Sequence, residues 1–242
     1  MEKIVIITGG SRGIGSALCT KYLSEGYKVY SIARSVNQTI KSTGFIQYQF
    51  DLSNDSTKDI EKLITNILKE NSGASTISLI NNAGTLGEVK EAGSLEFDDI
   101  ERTFKINTLI PIFLTNLFIK KTQSWDAVKS VINISSGASI HPIEGWSIYG
   151  ATKSAIDMFT KVAGKEQVSL DSPIHVYSFY PGKVDTNMQE EIRKLSKEDF
   201  KNVNQFIEFK HQGALNSPIN VAKKIFQLLH GTMIENGSIV KI

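Results

Sequence analysis

The chain has 242 residues, 40% hydrophobic and 21% charged, a balance typical of one globular α/β domain and unlike disordered or membrane-embedded chains. With 27 basic and 25 acidic side chains the net charge is only +2, which excludes a broad footprint for nucleic acid or a membrane surface, so any phosphate must be recognised locally. Cys19 is the single cysteine, so no internal disulfide can form, and a reducing, cytoplasmic setting is expected with Cys19 as a small buried helix residue.

The first apolar run, residues 4–7, follows a short polar start with no signal-peptide pattern. It opens a series of β-branched runs at 29–32, 46–50, 77–80, 131–134, 174–179 and 238–242, separated by helix-length segments. Within those segments apolar residues recur at steps of three and four, as in Ile60, Leu63, Ile64, Ile67 and Leu68. Parallel strands need long, right-handed crossovers, so the alternation predicts a doubly wound parallel sheet with helices on both faces, in one domain covering 1–242. The apolar stretch 109–119 is broken by Pro111, Thr115 and Asn116 and is shorter than the roughly 20 residues a membrane span needs.

Directly after the first run comes Thr8-Gly-Gly-Ser-Arg-Gly-Ile-Gly15. Glycines at a strand-to-helix turn let backbone approach a pyrophosphate while the helix N-terminus directs N–H groups at the anion, although the spacing departs from the common dinucleotide fingerprint. The second run ends Ser31-Ile-Ala-Arg34 with no carboxylate for ribose hydroxyls. Arg34, with Arg12 from the glycine turn, offers guanidinium groups to a 2′-phosphate, which favours NADPH over NADH; the plain alternative is two solvated arginines. Asp51 either accepts from an adenine amino group or caps its own turn with Ser53 and Asp55. Asn81-Asn82-Ala83-Gly84 ends the fourth run at the edge where open parallel sheets bind ligands.

Ser136 closes the fifth run, and Tyr149 and Lys153 follow at a spacing that puts both on one helical face. An ammonium there is expected to stabilise the phenolate and lower the phenol's pKa, but an isolated pair of this kind is usually a packing tyrosine beside a surface lysine. Residues 183–213 are too long for an ordinary connection and contain short helix-like apolar patterns around Leu195, Phe200 and Phe206, which suggests a lid over a site or a packing insertion. The last helix pattern, 219–229, follows.

Taken together, the Thr8 to Gly15 turn, Asn81-Asn-Ala-Gly84, Asn107, Ser136, Tyr149-x-x-x-Lys153 and Pro181-Gly182 with Thr186 make the chain resemble the short-chain dehydrogenase/reductases over nearly its whole length. The resemblance implies a Rossmann-type sheet of seven parallel strands and a catalytic set of Asn107, Ser136, Tyr149 and Lys153. In that scheme Ser136 holds the carbonyl oxygen, Tyr149 is the general acid, and Lys153 binds the nicotinamide ribose and tunes Tyr149. Asn107, an ordinary helix residue taken alone, would hold a water. The resemblance further implies that the cofactor meets Gly9, Ser11, Arg12, Gly13, Ile14, Gly15, Arg34, Asp51, Leu52, Asn82, Ala83, Gly84, Tyr149, Lys153, Pro181, Gly182, Val184 and Thr186.

Within the family, Asn133 to Ser136, Gly145-Trp146 and Pro181 to Gln189 look like the sepiapterin and benzil reductase branch, which implies dicarbonyl substrates. Sepiapterin reductases carry an acidic residue in the last strand to anchor the pterin; the matching position here is Lys241, which cannot accept the pterin N–H groups and favours a benzil-like ketone. Trp146, Met188 and His141 are candidates to line an apolar substrate pocket or simply to pack. Two other readings stand: a reductase of carrier-bound 3-oxoacyl thioesters, received by Lys194, Lys197 and Lys201, and an NADPH-sensing protein without turnover. The small-molecule substrate would be the main partner, together with a second copy of the chain in a dimer. No histidine or cysteine cluster suggests a metal.

Overall fold

The computed structural model describes residues 2–231 and 233–242. Seven strands occur where the apolar runs predict them: β1 (Lys3–Thr8), β2 (Lys28–Ala33), β3 (Phe45–Gln49), β4 (Thr76–Asn81), β5 (Val128–Ile134), β6 (Ile174–Tyr180) and β7 (Ile239–Lys241). All pair in parallel, in the order β3-β2-β1-β4-β5-β6-β7. The order reverses direction between β1 and β4, so the crevice at their carboxyl ends is the place where a sheet of this kind can admit a ligand.

Eight α-helices accompany the strands among the described residues: α1 (Gly13–Ser24), α2 (Thr57–Glu70), α3 (Phe97–Phe104), α4 (Ile110–Thr122), α5 (Ser147–Gln167), α6 (Asn187–Arg193), α7 (Val203–His211) and α8 (Pro218–Gly231). Alternate residues of each central strand feed two cores, as the period of two in a strand requires. Ile4 and Ile6 of β1 point to α2 and α4, where Ile60, Ile64, Leu114 and Phe118 close over them. Val5 and Ile7 point the other way, to Leu18, Cys19 and Tyr22 of α1 and Val221 and Ile225 of α8. Cys19 is buried in α1 as expected.

One predicted regularity fails. Residues 34–44, between β2 and β3, form no helix. A buried asparagine organises the loop instead: the Asn37 amide donates to the Gly10 carbonyl and Ser16 Oγ, while its Oδ1 accepts from Thr39 and Ile40. Side-chain bonds thereby meet polar demands that helix backbone would otherwise meet itself.

The 183–213 segment carries α6 and α7, in keeping with its apolar patterning. Its buried residues Ile192, Phe200, Val203 and Phe206 form a third, smaller core with Trp146 and Met188, separate from the two cores on the sheet. No helix among the described residues is long and apolar enough to cross a membrane.

Candidate active site

The glycine turn joins β1 to α1. Gly9 holds φ +71°, a left-handed conformation that side chains oppose. Gly15 lies so close to the turn that a Cβ there would stand 2.2 Å from the Gly9 carbonyl oxygen and 2.5 Å from Asn82 Nδ2. Arg12 is the extended N-cap residue of α1, no side chain caps the helix, and its first turn has no acidic residue. Its free N–H groups and dipole end therefore face the turn without a counter-charge, the arrangement that suits a diphosphate.

Asn82 acts as a strut, since its Nδ2 donates to the carbonyls of Thr8 (2.9 Å) and Gly9 (3.2 Å). The backbone N–H groups of Asn82 and Ala83 both donate to Thr8 Oγ1 at 3.0 Å, so β4 and the glycine turn are braced across the switch point. Thr186 comes up from α6 to within 3.5 Å of where a Gly13 Cβ would lie. A groove of about 840 Å³ opens there and runs outward along α1, α6 and α8; it takes in Gly13 and Thr186 but not Tyr149.

Arg12 and Arg34 are exposed beside this turn, with Ser11 and Ile14 partly covered. Asp51 builds its own turn, accepting from Ser53 N–H (2.9 Å) and Asn54 Nδ2 (3.0 Å). Burial alone would raise its carboxyl, but these bonds and the charge of Arg34 hold it below the ordinary value. Leu52 turns its side chain into the core, and Val184 is likewise buried, so neither presents a side chain to solvent. Pro181 is buried and Gly182 takes φ +71° after β6.

The chemical end assembles from four elements. Ser136 follows β5 and caps a short 3₁₀ turn, its Oγ accepting from Ala138 N–H at 3.2 Å. Tyr149 and Lys153, on α5, are 8% and 6% exposed, so the lysine is not the surface residue that the alternative to a functional pair would make it. Lys153 Nζ donates to the Ile134 carbonyl at 2.8 Å and lies 5.6 Å from the Tyr149 ring centroid.

Asn107 lies in a π-helical turn, Lys105–Leu109, inserted between α3 and α4. Its Oδ1 accepts from Thr85 N–H (2.9 Å), and its Nδ2 donates to the Thr85 carbonyl (2.8 Å) and to Thr152 Oγ1 (3.2 Å). Four residues on, Pro111 has no N–H to offer the Asn107 carbonyl, which explains why a regular α-turn is not kept there. A Cβ on Gly84 would lie 3.3 Å from Asn107 Oδ1 and 3.7 Å from Lys153 Nζ, so these two groups close on Gly84 together.

Electrostatics at the pair differ from the sequence expectation. Burial pushes the Tyr149 phenol above its ordinary value, with the neighbouring Ser136 hydroxyl easing it downward. Burial also brings Lys153 down to about 8, opposed by the charge of Asp157. Desolvation thus sets the direction of both groups, and the phenol is raised rather than lowered.

Trp146 sits edge-on to Tyr149 at 5.6 Å and stacks on Phe200 at 5.9 Å, with Phe206 at 5.4 Å. Met188 of α6 packs in the same cluster, so with Phe206 of α7 and Phe200 of the turn between the two helices it brings a largely aromatic wall to the phenol. Phe200 and Phe206 are predicted only as residues of short helices; Phe206 is on α7, whereas Phe200 lies in the turn before it, and nothing local in the sequence pairs either with Trp146. His141 is exposed outside this wall, near Gly137. Among the described residues no group of three or more His, Cys, Asp or Glu side chains could hold a metal.

A family model described as short chain dehydrogenase matches residues 3–197. The chain belongs to the short-chain dehydrogenase family. This short-chain dehydrogenase is therefore an oxidoreductase of a family that binds a nicotinamide cofactor, and the uncapped α1 with its Cβ-excluding glycines fits such a group. It is 39% identical over 248 residues to the Bacillus cereus "Benzil reductase ((S)-benzoin forming)", covering 99% of both chains. Mouse (Mus musculus) "Sepiapterin reductase" is 30% identical, over 97% of this chain and 94% of its own. Among solved structures, the KRED1-Pglu enzyme superposes with a TM-score of 0.81 at 25% identity, covering 98% of this chain and 100% of that one.

Proposed function

We propose that the protein reduces a ketone or a benzil-like α-dicarbonyl to the alcohol with NADPH, Tyr149 being the general acid. The observation that carries this reading is the placement of a buried phenol between the Ser136 strand end and an aromatic wall, with Lys153 and Asn107 behind it. Similarity to a benzil reductase over the full length supports the substrate class.

When bound, the nicotinamide supplies the hydride. Ser136 and Tyr149 donate hydrogen bonds to the substrate carbonyl oxygen, which polarises it and stabilises the negative charge it develops. Because burial keeps the phenol protonated at neutral pH, Tyr149 has a proton to give at that moment. Lys153, close to Gly84 and to the Ile134 carbonyl, stabilises the resulting phenolate and hydrogen-bonds a ribose hydroxyl. The Asn107 carbonyl, left without a donor from Pro111, holds the water through which Lys153 regains contact with solvent. Trp146, Phe200 and Met188 cover an aromatic ketone, with α6 and α7 as the lid of a single-domain enzyme. Gly9, Gly13 and Gly15 hold the diphosphate, and Arg34 with Arg12 binds the 2′-phosphate.

The thioester alternative draws less support, because two of its three docking lysines, Lys194 and Lys201, are ion-paired at 2.7 Å, to Glu190 and Glu91. Self-association as a dimer has support in the exposed apolar residues Leu109, Met158 and Val162, the last two one turn apart on α5, and sedimentation at micromolar concentration tests it.

The deciding experiment follows NADPH oxidation with benzil, sepiapterin, simple ketones and an acetoacetyl thioester. Tyr149→Phe is expected to lower kcat by at least about a hundredfold, in line with the value of a positioned acid, and retention of most activity would refute the mechanism. Arg34→Ala is expected to raise KM for NADPH about tenfold while leaving KM for NADH nearly unchanged, one tenfold being about 1.4 kcal/mol of lost contact. Equal effects on both cofactors would exclude a 2′-phosphate contact.

A further inference from the structure

One helical turn beyond Lys153, α5 carries a third buried ionisable group. Asp157 is 5% exposed, and only one of its carboxylate oxygens is satisfied: Oδ2 accepts from the Tyr180 hydroxyl at 2.5 Å. Oδ1 is buried with no hydrogen-bond partner among the described residues. A carboxylate in that position is costly unless a cation compensates it. The buried cation at helical spacing is Lys153, four residues earlier; its Nζ donates to the Ile134 carbonyl and makes no direct ion pair with Asp157 among the described residues, so the attraction acts at longer range.

Tyr180 connects this charge to the rest of the site. Its hydroxyl also lies 2.5 Å from Ser139 Oγ, at the end of the 3₁₀ turn that Ser136 caps. Ser139 N–H donates to the Ser136 carbonyl at 3.1 Å, and the Ser139 carbonyl accepts from Ser154 Oγ of α5 at 2.7 Å. Tyr180 itself is the last residue of β6, immediately before Pro181-Gly182. The phenol–carboxylate bond therefore joins the helix bearing Tyr149 and Lys153, the turn bearing Ser136, and the loop after β6.

We propose that Asp157 is a positioning residue for the Tyr149–Lys153 pair, its carboxylate retaining the proton on Lys153 and, through Tyr180 and Ser139, fixing the Ser136 turn against α5. The proposal rests on the reading of Tyr149 as the acid. Its electrostatic sign is set by few groups. On α5, Lys161 is the other ionisable neighbour at helical spacing, and it is exposed; from β6 comes Tyr180, bonded to it directly; from β7, Lys241 stands opposite Tyr180 in register and is also exposed. Against Lys153, burial lowers its proton affinity and Asp157 is the charge that raises it. Removing that negative charge lets both Lys153 and Tyr149 give up protons more readily.

The test compares the pH dependence of kcat/KM for wild type, Asp157→Asn and Tyr180→Phe. It adds a near-ultraviolet titration of Tyr149, taken as the difference between each protein and its Tyr149→Phe counterpart. Asp157→Asn, which keeps shape and a hydrogen-bond acceptor, is expected to move the alkaline limb down by about one pH unit and the Tyr149 titration in the same direction. Tyr180→Phe keeps the charge and leaves the limb near its wild-type position, although it lowers kcat by loosening the Ser136 turn. An Asp157→Asn enzyme that is weaker at every pH with its limb unmoved would overturn the proposal, because a purely structural carboxylate predicts that result. Should Asp157→Asn not fold, Asp157→Glu must keep the limb and Asp157→Thr must move it; the reverse pattern overturns the proposal equally. If Tyr149→Phe stays active, the acid assignment itself fails, and the absorbance titration still decides whether Asp157 acts on the pair.

Discussion

A lysine ammonium withdrawn from water gives up its proton more easily, and burial brings Lys153 to about 8 from an ordinary 10.5. Below pH 8 both folded and unfolded chains hold that proton, so the folded state carries the full desolvation cost. Between 8 and 10.5 the unfolded chain binds a proton that the folded chain lacks, so the cost is relieved and this group's contribution to stability rises with pH. Lys153→Met is therefore expected to be inactive and, since it removes the titrating group, to lose stability relative to the wild type between pH 7 and pH 9.5, as the wild type is relieved of its desolvation cost. Urea unfolding at pH 7 and pH 9.5 checks this, and a stability difference between variant and wild type that stays constant with pH would contradict a lowered Lys153.

At the scale of elements, α6 and α7 belong to the site more than to the sheet. Their small core is separate from the two large ones and meets the rest of the protein chiefly through Trp146, Ile143, Leu86 and Val89. Phe200 is 2% exposed and stacked on Trp146, so truncating it loosens the wall beside Tyr149 without touching the glycine turn. Phe200→Ala is expected to raise KM for an aromatic diketone about tenfold, the equivalent of about 1.4 kcal/mol, with KM for NADPH unchanged. Steady-state kinetics with each substrate varied in turn measure both. A parallel rise in the two KM values would mean that α6 and α7 support the cofactor as well. The π turn at Asn107 is the other element whose irregularity places a side chain: Thr85 and Thr152 saturate the amide, and Pro111 removes the donor that a regular turn would use.

Across the whole molecule the sheet separates tasks between its ends. The glycine turn, Ser136 and Pro181 lie at carboxyl ends of strands, whereas Lys129, near the start of β5, lies at the opposite edge. Lys129 is 1% exposed and its Nζ donates to the carbonyls of Gln123 (3.0 Å) and Trp125 (2.9 Å) and to Ser172 Oγ (2.6 Å). It thereby ties the loop before β5 to the loop before β6. Lys129→Met takes this donor from the Gln123 carbonyl and leaves the Trp125 carbonyl with only the 3.3 Å bond from Ser172 Oγ; it should cost about 2 kcal/mol of stability, read as a lower urea midpoint, with kinetic constants of the folded enzyme unaltered. A changed KM would show that the two edges are coupled.

The strand and helix alternation, the glycine turn and the Tyr149-x-x-x-Lys153 face were legible in the chain because they rest on covalent spacing and periods of 2 and 3.6 residues. The loop at 34–44 was not, since what replaces a helix there is one asparagine bonding to Gly10 and Ser16, far back in the sequence. Asn107 showed its partners only on folding, for Thr85 and Thr152 lie 22 and 45 residues away. The same holds for Phe200 over Trp146 and for Asp157 under Tyr180, 23 residues apart. Sequence thus determined by itself which groups exist and on which local element they sit. Tertiary structure alone decided which of them lose water, and with that loss came the raised phenol, the lowered ammonium and the carboxylate beside them, because desolvation depends on neighbours that no local pattern encodes.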